Sequence, residues 1–130
     1  MIYTLVIQSA PYSTQGPSSA LRFAQAALQA GHTIGRVFFY GDGVTVANGL
    51  NTPPQDEPKA HEAWQALAKE HDIDLVVCIA AAVKRGVIDA NEASRYGHAS
   101  DSLAEGFTLS GLGQLVDATA SADRVITFGH

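Results

Sequence analysis

Only one cysteine occurs in the 130 residues, so no disulfide can form within the chain. A lone thiol points to a reducing compartment, or to a sulfur kept free for use. Basic residues are also few: eight Lys and Arg against thirteen Asp and Glu give a formal net charge of −5. Those cations are scattered, whereas binding a phosphate backbone needs them clustered, so direct contact with nucleic acid is not expected. No apolar run reaches the ~20 residues that span a bilayer. The opening stretch Met1–Ala10 lacks the basic start, long apolar middle and small-residue cleavage site of a secretory signal, so the expected address is the cytoplasm.

What is present is globular composition, 46% apolar and 16% charged. The length fits one compact domain, 1–130, able to bury its own core. Ile2–Gln8, Thr33–Tyr40, Asp74–Ala80 and Arg124–Phe128 are rich in β-branched and aromatic residues and read as strands. Asp74–Ala80 is an almost unbroken apolar run, as expected for a strand covered on both faces. Between them lie helical patterns. Leu21, Ala24, Ala27 and Leu28 recur at helical spacing, with Pro17 near the start and Gly31 past the end. A second pattern follows Pro58 through Ala60, Ala63, Trp64, Leu67, Ala68 and His71. Asp89 and Glu92 resemble a capping box before a helix that stops at Gly97, and Ser110 is a candidate cap for a last helix carrying Leu112, Leu115 and Val116. Gly41–Pro54 is irregular, with room for a short helical turn. The expected fold class is α/β: a single-domain, doubly wound, mostly parallel sheet with helices on both faces, flavodoxin-like in kind. Sites in such sheets gather beyond the carboxyl ends of the strands, where Ser9–Gly16, the stretch after Tyr40 and the stretch from Cys78 should meet.

Three candidate sites follow. Cys78 lies near the carboxyl end of its strand. A free cysteine in an apolar strand is usually a small buried hydrophobe, and that reading stands beside the functional one. A helical turn beginning at Ala80 would bring backbone N–H groups towards the sulfur, and Lys84 and Arg85 would add positive charge as possible thiolate stabilisers. An ordinary thiol of pKa ~8.5 is only about 3% ionised at pH 7, and ~1 kcal/mol of helix-end stabilisation raises such a fraction to roughly a sixth. The plain alternative for Lys84-Arg85 is a solvated basic turn. The second candidate, Ser13-Thr14-Gln15-Gly16, resembles a phosphate-cradling loop, yet it matches neither nucleotide fingerprint and serves equally as an ordinary helix entry. The third is the histidine set His32, His61, His71, His98 and His130, none of which has metal-site spacing to another ligand; no metal and no cofactor is expected.

The segment C-I-A-A-A-V-K-R-G-V-I-D (Cys78–Asp89) resembles the DsrE/TusD family of sulfur-relay proteins. So do V-F-F-Y-x-D-G-V (Val37–Val44), F-T-L-S-G-L-G-Q-L (Phe107–Leu115), D-R-V (Asp123–Val125) and Thr14-Gln15, in the same order along nearly the whole chain. The resemblance is to the cysteine-bearing subunit and places the family's active cysteine on Cys78. It implies a sulfurtransferase that receives sulfur from an upstream persulfide donor and hands it to a small carrier of the TusE/DsrC type. It also implies a heterohexamer, two copies of each of three subunits, with two smaller paralogues as partners. In one branch the sulfur ends as 2-thiouridine in tRNA, the destination favoured here; in the other it feeds dissimilatory sulfur oxidation. A flavodoxin-like nucleotide binder and a non-catalytic structural subunit rank lower. The apolar stretches Val37–Tyr40 and Phe107–Leu112 are candidate surfaces for the paralogues, or simply core.

Overall fold

A computed structural model describes residues 1–129. Five strands form one sheet: β1 (Ile2–Ile7), β2 (Thr33–Phe39), β3 (Asp74–Cys78), β4 (Phe107–Ser110) and β5 (Arg124–Phe128). Their order is β4-β3-β2-β1-β5, and every pairing is parallel. The helices are α1 (Gly16–Gln29), α2 (Ala60–His71), α3 (Ile79–Val83), α4 (Ala90–Arg95) and α5 (Gly113–Ser121). The irregular stretch after β2 contains a 3-10 turn, Gly41–Ala47.

Alternation along the strands explains the layers. Leu5 and Ile7 pair with Val37 and Phe39, which pair with Leu75 and Val77. This face meets α1 and α2: the Phe39 ring stands edge-on to Trp64 and to Phe107, with centroids 5.8 and 5.5 Å away. On the α1 side, Pro17, Ala20, Ala24 and Ala27 form a small-residue stripe that lets the helix settle close to the sheet. The opposite face carries Thr4, whose buried hydroxyl donates to the Ala118 carbonyl of α5 (3.1 Å), and Arg36, which donates to the Gln114 carbonyl (3.0 Å).

Helix ends follow the expected stop residues. After α1, Gly31 takes φ +89. The N–H groups of Gly31 and His32 reach back to the carbonyls of Leu28 and Ala27, closing a Schellman motif. Gly97 ends α4 in the same way, and Asp89 caps it by accepting from the Glu92 N–H at 2.9 Å.

Three expectations change. The strand expected over 74–80 ends at Cys78, because Ile79–Val83 already coil as α3. Ser110 is not a helix cap: it is the last residue of β4, and Leu112 occupies the cap position of α5. Val37, Phe38 and Phe39 are fully buried, which makes that stretch core up to the exposed Tyr40, whereas in Phe107–Leu112 only Phe107 is buried and Thr108, Gly111 and Leu112 are exposed.

Candidate active site

Cys78 is both the last residue of β3 and the residue before the first turn of α3. A strand passing directly into a helix gives the sulfur a fixed place at the carboxyl edge of the sheet. There it stands beside Ser110 of the neighbouring strand in register. The side chain is only 4% exposed and makes no capping hydrogen bond to α3. A cleft of about 270 Å³ opens over it. Its walls come from three strand ends: Tyr40 and Gly41 after β2, Cys78, Lys84 and Arg85 after β3, and Gly111 with Leu112 after β4. Tyr40 and Leu112, 38% and 51% exposed, give this mouth an apolar rim.

The structure thus brings Cys78, Lys84 and Arg85 to one cleft, but the two cations differ in their contacts. Nε and Nη2 of Arg85 both lie 3.0 Å from Oδ1 of Asp42, and Nη1 donates to the Ala81 carbonyl at 3.0 Å. Lys84 is exposed, and among the described residues no carboxylate pairs with it. Asp42 sits in the Y-x-D-G-V segment, but sequence reasoning did not single it out. Nor did it single out Tyr40 and Leu112 as rim residues. An acidic residue beside glycines in one loop and a basic residue in another were the available signal, and nothing local connects them.

Ser13–Gly16 belongs elsewhere. Thr14 and Gln15 line a separate cleft of about 260 Å³ with Tyr12, Lys59 and Trp64. There the Thr14 hydroxyl is engaged with the Ala10 carbonyl at 2.7 Å, which favours the ordinary loop-to-helix reading. The histidines are dispersed. His32 contacts the N-terminal amine, His71 lies 3.8 Å from Glu70, and His98 is exposed. His61 is buried on α2, where desolvation lowers its pKa, Glu62 partly offsets this, and Lys59 lowers it further. His130 lies outside the described residues. Among the described residues no group of three or more His, Cys, Asp or Glu is placed to hold a metal, and no helix is long and apolar enough to cross a membrane.

Residues 1–128 match the profile of the DsrE/DsrF-like family. The chain is 48% identical over 128 residues to a sulfurtransferase TusD homolog of Vibrio parahaemolyticus, covering 98% of each. It is 48% identical over 129 residues to a candidate sulfurtransferase DsrE of Allochromatium vinosum, covering 99% of each. The sulfurtransferase TusD of Salmonella newport is again 48% identical, over 98% of this chain and all (100%) of that one. Among solved structures, the ychN protein of E. coli superposes with a TM-score of 0.72 at 23% identity, covering 98% of this chain and 100% of that one. A protein of unknown function from Methanobacterium thermoautotrophicum gives a TM-score of 0.56 at 17% identity over 96% of each chain. At such identities these two support the fold alone.

Proposed function

The chain belongs to the DsrE/DsrF-like family, and we propose that it is a sulfurtransferase subunit that accepts sulfur as a persulfide on Cys78 and passes it to a small carrier protein. The observation that carries this reading is the place of the only thiol. It lines a cleft at the carboxyl edge of the sheet, beside an exposed lysine, in a chain 48% identical over 98% of its length to sulfurtransferases.

The chemistry asks little of the fold. The Cys78 thiolate attacks the outer sulfur of a donor persulfide, the donor's S–S bond breaks, and the donor leaves as its thiolate. Cys78 then carries S–SH. An acceptor thiolate attacks that outer sulfur in turn, and Cys78 leaves as thiolate. No electron is gained or lost overall. Lys84, exposed on the same cleft, is the cation that would favour the anionic sulfur; the five-residue α3 adds only a short helix end. Because Cys78 is nearly buried, both partners must bring a slender sulfur-bearing segment into the cleft, and the exposed Tyr40 and Leu112 offer it apolar contact.

Intact mass after incubation with a persulfide donor tests the reading: wild type gains about 32 Da per bound sulfur, and Cys78→Ser gains nothing. Equal labelling of both proteins overturns it. For the pathway, we favour the relay ending at 2-thiouridine in tRNA, within a heterohexamer of this subunit and two paralogues; the TusD names of two relatives support it. The DsrE-named relative of Allochromatium vinosum supports the sulfur-oxidation relay instead. Restoration of tRNA 2-thiouridine in a strain lacking its TusD decides between them. Full restoration by Cys78→Ala would overturn the catalytic reading in favour of a structural subunit.

A further inference from the structure

Two of the segments that carry the family resemblance, Y-x-D-G-V and K-R-G-V, are joined by the Asp42–Arg85 ion pair, 43 residues apart in sequence. We propose that this pair is a latch that positions the two walls of the Cys78 cleft, and that Lys84 alone supplies the cleft's working positive charge. The inference rests on the reading of Cys78 as the persulfide carrier.

Each half of the latch is held from behind. On one side the Asp42 carbonyl accepts from the Thr45 hydroxyl (2.7 Å), and the Gly43 N–H donates to the Tyr40 carbonyl (2.9 Å). Gly43 is pressed so closely on the Ile7 carbonyl that no side chain fits, and Val44, Val46 and Ala47 are fully buried. The turn that carries Tyr40 and Gly41 is therefore docked on the carboxyl end of β1. On the other side Arg85 spans the end of α3: Nη1 holds the Ala81 carbonyl while Nε and Nη2 reach Asp42. The chain then reverses at Gly86 (φ +74), with Val87 buried behind it. A guanidinium with all three nitrogens committed in this way has a planar geometry that lysine cannot reproduce. Its charge is met by the Asp42 carboxylate, which leaves it little to offer the sulfur. Asp42 and Arg85 are accordingly positioning residues.

The pair is partly open to solvent, 53% exposed at Asp42 and 29% at Arg85, so its loss should relax the cleft without unfolding the domain. Two roles for Arg85 make opposite predictions about Asp42. If Arg85 acted directly on the thiolate, Asp42→Asn would free its charge and improve Cys78, while Arg85→Gln would impair it. If the pair is a latch, both changes act in the same direction, and the double variant is no worse than either single.

The experiment compares Asp42→Asn, Arg85→Gln, the double variant, the exchanged pair Asp42→Arg with Arg85→Asp, and Lys84→Gln. Readouts are sulfur loading of Cys78 from a persulfide donor, and the pH profile of Cys78 alkylation by iodoacetamide; circular dichroism confirms folding. For the latch we expect both single variants to load sulfur several-fold more slowly and to alkylate several-fold faster at the high-pH plateau, with the inflection unmoved. We also expect partial recovery in the exchanged pair, and in Lys84→Gln slower loading with an unchanged alkylation plateau. Opposite effects of Asp42→Asn and Arg85→Gln, or no effect of either, would overturn the latch. If a single variant fails to fold, Arg85→Lys and the exchanged pair carry the comparison: wild-type loading by Arg85→Lys would overturn it equally. Failure of the wild type to load sulfur on Cys78 would instead indict the persulfide reading itself, which separates the two ideas.

Discussion

Gly43→Ala, in the turn packed on β1, should destabilise this domain more than Gly111→Ala in the wall of the Cys78 cleft, for a reason readable from geometry. A Cβ at this position would collide with the Ile7 carbonyl oxygen, lie 2.7 Å from the Ile7 carbonyl carbon and 3.2 Å from the Gln8 nitrogen. All three atoms are backbone, and Ile7 is anchored by pairing to both β2 and β5. The strand cannot yield, so the turn must lift. Lifting it strains the hydrogen bond from the Tyr40 N–H to the Ile7 carbonyl, now 2.9 Å, and loosens the buried Val44 and Val46 behind it. Overpacking costs about 1–3 kcal/mol and a lost buried hydrogen bond about 1 kcal/mol, a sum of roughly 2–4 kcal/mol. For a chain of this length each kcal/mol moves Tm by about 3–5 °C, so the melting point should fall by roughly 10 °C.

Differential scanning calorimetry measures this directly, with Gly111→Ala as the control. Gly111 lines the same cleft but has nothing within 4 Å of an added Cβ, so its melting point should stay within about 2 °C of wild type. A Gly43→Ala protein that melts with the wild type would refute the claim that the turn is docked on strand backbone.

Further outcomes follow from other contacts. Thr4→Val removes the hydroxyl that donates to the Ala118 carbonyl inside the α5 face, and chemical denaturation should show a loss of about 1–2 kcal/mol at an unchanged m-value. Asp89→Ala removes the side-chain cap of α4 and should cost about 1 kcal/mol, with faster amide exchange confined to Ala90–Arg95; Asp89→Asn should recover most of it. Burial holds His61 below its ordinary pKa of 6.5, so the unfolded chain binds this proton more readily than the folded one. The His61 contribution to stability is therefore complete above pH 6.5 and declines as pH falls from 6.5 towards the folded value. Urea melts across that window should show a shallower decline for His61→Phe, and an identical pH slope would refute the assignment.

Legibility in the sequence tracked how local the cause was. β1, β2, β3 and β5 announce themselves through runs of Ile, Val and Phe, and α1 and α4 through Gly31 and Gly97, whose backbone conformations other residues adopt at a cost. β4 did not, because Phe107–Ser110 is four residues long and only Phe107 is buried, too little for a period to show. The end of β3 was misplaced for the opposite reason. Val76 to Val83 is apolar throughout, and a buried strand and a buried helix share that pattern, so nothing marks the change at Ile79. The partner of Arg85 lay beyond any pattern. Asp42 is acidic in a glycine-rich turn, the description of many solvated loops, and only the parallel crossover that sets β2 beside β3 brings the two together.

That crossover also bears on how Cys78 should be read. At 4% exposure it satisfies the ordinary description of a buried cysteine, and its strand alone gives no reason to think otherwise. A structural cysteine, however, needs only apolar neighbours, and the carboxyl edge around Cys78 supplies considerably more. Three strand ends deliver an exposed tyrosine, an exposed leucine and an exposed lysine to the rim of one cleft, and an ion pair joins two of its walls. Tyr40 and Leu112 contribute little to the core from this rim, and the exposed Lys84 stands beside them. On the proposed reading, a partner entering at this edge would meet all three side chains and the thiol. The rim therefore gives the functional reading of Cys78 a physical basis that neither its burial nor its place in an apolar strand provides.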